Sequence, residues 1–259
     1  MLILGSGVGD RFKFISAGGL VRIPNSLLRG MVAGGALFLT SSAWGAILVQ
    51  YAVPTSGDQL APTIVAPGVT PSDFAANPLN TNVAISPESV GYTTSSGGIN
   101  PSGDGAYRVI PNNTTTQATD EASSVTNGNF ASFVLTQQND KLSLSSLTFN
   151  IARGGGATPR GYALRSSLDN FAADLAGSNG DVGTQRPTWL GVNVDLTGAA
   201  FQNLTAPVTF RLYTYAPGTG QSLDVDDITV NGTVVPEPAS MALLGLGGLA
   251  LMARQRRAR

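Results

Sequence analysis

Asp224, Asp226 and Asp227 fall within four positions and form the densest carboxylate cluster of the chain. Carboxylate oxygens are hard ligands, so the cluster offers itself to Ca²⁺. The neighbouring residues support a second reading. Leu223 and Val225 share one face of an extended segment, whereas Ile228 and Val230 fall on the other parity. That switch predicts a β-bulge at Asp226-Asp227, where the aspartates serve neighbouring backbone N–H groups. No D-x-D-x-D-G loop accompanies them, so no metal site is expected, with these three as the only candidates for one. Glycoside hydrolysis needs two carboxyl groups roughly 5–10 Å apart in one cleft. Glu88 and Glu121 both lie in polar, loop-like stretches, Glu237 is the only other glutamate, and no spacing singles out a pair of aspartates.

Other chemistry is excluded by composition. The chain has no His and no Cys, which removes imidazole and thiolate metal sites, Ser-His-Asp and Cys-His nucleophiles and histidine acid–base work. Gly154-Gly155-Gly156 lacks a following Gly-Lys-Ser/Thr, so it reads as a strand connection rather than a phosphate cradle. Neither a catalytic residue nor a cofactor is expected. Tyr162, Trp189, Tyr213 and Tyr215 are large enough to stack on sugar rings or to pack in a core. Tyr213 and Tyr215 oppose Phe210 and Leu212 in parity, so one of the two groups faces outward.

The net charge of −1 conceals a segregation. Arg11, Lys13, Arg22 and Arg29 precede the first apolar run, and Arg254, Arg256, Arg257 and Arg259 follow the last. Between them stand seven basic residues against fourteen acids, so the middle carries about −7 and would repel nucleic-acid phosphate. The basic ends flank apolar segments as the positive-inside rule requires of ends held in the cytoplasm.

Gly30 to Leu39 is an apolar stretch too short to span a bilayer. It leads into Thr40-Ser41-Ser42-Ala43-Trp44-Gly45-Ala46, whose small residues have the A-x-G spacing of a signal-peptidase site. Residues 1–45 are therefore read as a signal peptide with a long basic leader, cleaved after Gly45 under the direction of Ala43 and Gly45. No twin-arginine pair is present, which points to the Sec translocon.

At the other end Pro236-Glu237-Pro238 leads into the apolar run Ala239 to Ala253 and the closing arginines. Proline fixes φ and disfavours helix in the residue before it, so the tripeptide stays extended. The apolar run has 15 residues, short of the ~20 that span a bilayer. A short transmembrane helix that holds the chain transiently fits better than a lasting anchor. The tripeptide, the Gly-rich apolar helix and the arginine cluster of residues 234–259 resemble the PEP-CTERM sorting signal of bacterial envelope proteins. That resemblance implies recognition by an exosortase, a multi-span membrane enzyme resembling a cysteine transpeptidase, and gives Pro236, Glu237 and Pro238 the role of a recognition motif.

These ends bracket residues 46–233, where alternation at period two recurs. Strands are expected at Ala46–Val53, Ala106–Ile110, Phe130–Thr136 after an Asn127-Gly128 turn, Lys141–Arg153, from Tyr162, Trp189–Leu196, Val208–Leu212 and Leu223–Val230. A Pro/Gly/Ser/Thr-rich meander joins the first two, and Ser167–Ala176 reads as a short helix. The sum is an all-β domain, a jelly-roll-like antiparallel β-sandwich. Gly154 to Phe171 resembles a segment recurrent in PEP-CTERM proteins, and Leu223 to Gly232 resembles the closing strand of such domains and of carbohydrate-binding jelly rolls. The expected protein is a non-enzymatic envelope or extracellular-matrix protein, exported through signal peptidase and the translocon, held in the inner membrane and then sorted. The alternative is a carbohydrate-binding module acting on exopolysaccharide.

Overall fold

The computed structural model describes residues 11–16, 19–24, 45–53, 59–88, 105–154, 158, 160–182 and 189–235. Ala43, the tripeptide and the apolar run behind it lie outside these residues. The chain divides into two units, 1–42 and 43–259. In the first, β1 (Arg11–Ser16) and β2 (Gly19–Pro24) form an antiparallel pair. Among the described residues no helix is long and apolar enough to cross a membrane.

The second unit carries two antiparallel sheets. Sheet I contains β3 (Ala46–Tyr51), β4 (Ile64–Val65), β7 (Ala84–Glu88), β8 (Ala106–Ile110), β10 (Lys141–Arg153), β13 (Leu190–Asp195) and β15 (Leu223–Val235). Sheet II contains β5 (Val69–Pro71), β6 (Ala75–Ala76), β9 (Phe130–Gln137), β11 (Arg160–Ser166), β12 (Asn179–Val182) and β14 (Val208–Tyr215). Sheet I runs β13-β10-β15-β3-β4, with β7-β8 pairing onto the start of β15. Sheet II runs β12-β11-β14-β9-β5, with β6 also on β9. The expected strands are present, and the described part of the Pro/Gly-rich meander, 59–88, contains the short strands β4 to β7.

The inward half of each alternation fills one core between the sheets. Leu142, Leu144, Leu147, Phe149 and Ile151 of β10 meet Phe133, Leu135, Phe210 and Leu212 of sheet II in it. Each such side chain contributes roughly 1.5–3 kcal/mol by leaving water. The step from Leu144 to Leu147 costs β10 its parity, and an extra residue restores it: Leu144 pairs with Gly232 and Ser146 with Asn231, leaving Ser145 as a bulge. Tyr51 of sheet I reaches across the core to Phe133 of sheet II, ring centroids 5.1 Å apart, and donates its hydroxyl to the Ser72 carbonyl at 2.6 Å.

A helix the alternation did not announce, α1 (Glu121–Asn127), packs through Val125 on Phe130, Ala163 and Tyr213, on the outer face of sheet II. Asp120 caps it by accepting from Ser123 N–H at 2.8 Å, and Gly128 ends it with a left-handed φ of 68°. Asn127-Gly128 is thus a helix terminus rather than a strand turn. The helix expected over Ser167–Ala176 is instead one 3₁₀ turn, Ser167–Asp169. Asn170 and Phe171 stop it with φ of 58° and 60°. Arg165 holds that stop by donating to the Phe171 carbonyl at 3.1 Å and pairing with Asp174 at 2.6 Å.

Candidate functional site

The outward half of the alternation decides what sheet I shows to solvent. Asn193 of β13 stands opposite Thr148 of β10, Thr148 opposite Thr229 of β15, and Thr229 opposite Gln50 of β3. Four strands thus present one unbroken transverse row of amides and hydroxyls. At the usual inter-strand spacing it spans roughly 14 Å. Beside it Gly191 and Asn150 form a second, shorter row. Together they line an open groove of about 460 Å³, which Asp227 also lines. Its polar lining is neutral except for that one carboxylate.

The aspartate cluster is split by a bulge, as the parity switch predicted. Thr148 pairs with Thr229 and Asn150 with Asp226, so Asp227 and Ile228 together oppose Phe149. Asp227 takes the left-handed φ of 51° that this geometry imposes. The three carboxylates consequently differ. Asp227 is partly exposed at the groove, whereas Asp224 and Asp226 are fully buried. Asp224 lies opposite Arg108 and accepts from its Nε at 3.4 Å, and Arg108 also pairs with Glu88 at 3.0 Å. Arg153 and Arg160 are buried as well, Arg160 donating to the Ser222 carbonyl. Gly154 leaves the space at this junction: a Cβ there would lie 3.0 Å from both Asp224 carboxylate oxygens. The buried Asp224 carboxylate is thus offset by the partly exposed Arg108 guanidinium. Among the described residues no three carboxylates converge where one ion could be held.

The other sequence candidates are dispersed. Glu88 stands in sheet I and Glu121 on α1, outside sheet II, each in its own ion pair. Partial burial and neighbouring Asp174 raise the Glu121 carboxyl above its ordinary range against the pull of Arg165. Tyr162 packs in the core edge-on to Phe149 at 5.8 Å. Tyr213 lies under α1 against Phe130 at 5.3 Å. Tyr215 is partly covered; burial and the nearby Asp181, which accepts from its hydroxyl at 3.3 Å, push its phenol up to about 12. Trp189 precedes β13 in the other sheet. No single face gathers these four rings. The transverse row, by contrast, has no local motif in the sequence. Its signal is the absence of charge at the polar positions Thr148, Asn150, Asn193 and Thr229, legible only once register sets them side by side.

Comparison with known proteins bears on the C-terminal end. No curated protein matches the chain. Among solved structures, the sandwich is similar to the CBM22-1 xylan-binding domain of Paenibacillus barcinonensis Xyn10C, at 12% identity and a TM-score of 0.40, over 74% of this chain and 97% of that one. It is also similar to the family 11 carbohydrate-binding module of Clostridium thermocellum, at 11% identity and a TM-score of 0.32, over 73% and 99%. A third similarity, to the MgGH51 α-L-arabinofuranosidase, has 11% identity and a TM-score of 0.39; it covers 73% of this chain but only 27% of that one. Residues 234–257 match the family model of the PEP-CTERM protein-sorting motif, the segment whose tripeptide, apolar run and arginines carried the resemblance. The chain is an antiparallel β-sandwich protein that carries a PEP-CTERM sorting motif.

Proposed function

We propose that the protein is a non-catalytic component of the bacterial envelope or extracellular matrix, exported and then sorted through its C-terminal motif by an exosortase. The match of residues 234–257 to the sorting motif carries this reading. A signal peptide over 1–45, cut under the direction of Ala43 and Gly45, would deliver the sandwich through the translocon. The short apolar run would hold it in the inner membrane while Pro236-Glu237-Pro238 is engaged. A tripeptide whose prolines disfavour helix would suit a peptidase or transpeptidase cleft, and the terminal arginines would keep the far end in the cytoplasm. Replacing the tripeptide with alanines should leave export intact while the protein accumulates in the inner membrane. Unchanged delivery to the surface or medium would reject the role of the motif.

A second reading is favoured by the transverse row: a jelly-roll-like sandwich that binds a neutral polysaccharide. Adjacent amides and hydroxyls both donate and accept, which suits polyhydroxylated chains, and the groove has no cation to attract an acidic one. Retardation in gels containing neutral exopolysaccharide, lost in Thr148→Ala and Asn193→Ala, would support it. Equal migration with and without polysaccharide would leave the structural role alone. Ca²⁺ binding would have to arise at Asp227, the aspartate that reaches the groove; a thermal midpoint unmoved by millimolar Ca²⁺ would dismiss it.

A further inference from the structure

The strand register says how the two processing ends are placed. Ala46, the expected mature amino terminus, is the Cα partner of Gly232, and β3 runs antiparallel to β15. The start of one strand and the end of the other therefore lie at the same end of the sandwich. β15 continues to Val235, still paired with Lys141, while Val234 pairs with Leu142 and packs against the core. Pro236 follows directly, so no linker separates the fold from the sorting tripeptide.

Reach then constrains where the sandwich can sit. From Val235 to Ala239, where the apolar run begins, are four residue steps, at most about 14 Å fully extended. The pole bearing Gly45, the β9–β10 turn and Val235 cannot be further than that from the start of the apolar run. The opposite pole, where Thr219 meets Thr116 at 2.9 Å before β15 begins, lies about the length of that strand away. Thirteen residues of strand are roughly 40 Å. The middle of the chain carries about −7, and a sandwich lying flat on an anionic headgroup surface brings more of that charge within a Debye length of ~8–10 Å than one standing on a single pole.

We infer that the uncleaved protein stands upright on the lipid surface, both tethers leaving one pole and the Thr116–Thr219 pole outermost. This rests on the reading of residues 234–257 as a membrane-held sorting signal. The partner of the tethered pole is a lipid headgroup layer, and both cuts, at Ala46 and near Pro236, are made on that one pole.

The chain has no Cys, so single labels are unambiguous. The full-length protein, made in a host without the sorting enzyme, would be reconstituted into phosphatidylethanolamine/phosphatidylglycerol vesicles containing nitroxide-headgroup lipid. A fluorophore would be attached at Asn139→Cys in the exposed β9–β10 turn or at Thr219→Cys. Quenching at 139 several-fold greater than at 219 is expected. Equal quenching at both means the sandwich lies flat, and absence of quenching at both in protein that co-floats with vesicles means it stands clear; either overturns the inference. Protein that does not co-float would instead sink the membrane-held reading on which it rests.

Discussion

Asn112 allows the stability of the sandwich to be tested at one atom pair after another. Its side chain is fully buried. It donates to the carbonyls of Ala118 and Ala216 at 3.0 and 2.8 Å and accepts from the N–H groups of Gln117 and Ala118 at 3.0 and 2.9 Å. The amide therefore pins the segment before α1 to the exit of β14. Asn112→Ala removes four hydrogen bonds, each contributing about 1 kcal/mol net, and strands buried backbone groups. The expected loss is roughly 4 kcal/mol, a fall in Tm of about 8–16 °C for a domain of this size. Asn112→Asp keeps the two acceptor contacts but turns an oxygen toward two carbonyls in a buried site. Its carboxyl is held above the unfolded value, so its stability deficit should shrink as pH falls and deepen as pH rises. Exposed Asn113→Ala serves as the control, within about 0.5 kcal/mol of wild type. Urea denaturation at pH 4 and pH 7 measures all three. A loss under 1 kcal/mol for Asn112→Ala, or an Asp variant insensitive to pH, would mean that the buried amide does not hold these segments together.

Gly232→Ala should lower stability by roughly 1–3 kcal/mol, since its Cβ would overlap the Ser143 carbonyl and lie 3.0 Å from the Leu144 Cα, both backbone; thermal melts check it. Arg165→Ala should cost about 2–3 kcal/mol by leaving Glu121 and Asp174 without the guanidinium they share at 2.9 and 2.6 Å; a melt within 1 °C of wild type would contradict it. Burial, chiefly, raises the Tyr51 phenol, and burial with Asp181 pushes that of Tyr215 up to about 12. Because these folded values exceed the unfolded value of ~10, the unfolded chain loses the protons first. Stability is then full below pH ~10 and falls as pH rises through the folded values. Tyr51→Phe and Tyr215→Phe should flatten that fall in denaturation curves taken between pH 9 and 12.

How much the sequence disclosed follows from where the information was local. Strands were legible because Leu142 to Ile151 and Val208 to Leu212 write their burial as alternation. The bulge at Asp227 was legible because a parity switch between Val225 and Ile228 cannot be accommodated otherwise. Helix α1 was not, since a seven-residue element carries too few apolar positions to show a period; its Asp120 cap and Gly128 stop were the available signals. The reverse error at Ser167–Ala176 arose because Arg165, outside the segment, holds Phe171 in a left-handed conformation that ends the helix. Tyr162 and Tyr213 read as possible stacking rings until the sheets assigned one to the core and the other to the face beneath α1. The row Asn193-Thr148-Thr229-Gln50 lies beyond local reading altogether, because it is a property of register among four strands far apart in the chain.

Export of the sandwich and its sorting by cleavage at both ends can be read from the intact mass of the protein in envelope and medium fractions. The expected species begins within about two residues of Ala46 and lacks the apolar run and arginines that follow Pro236-Glu237-Pro238, with or without an added group at the new carboxyl end. A surface or secreted species that retains residues 239–259 would contradict it.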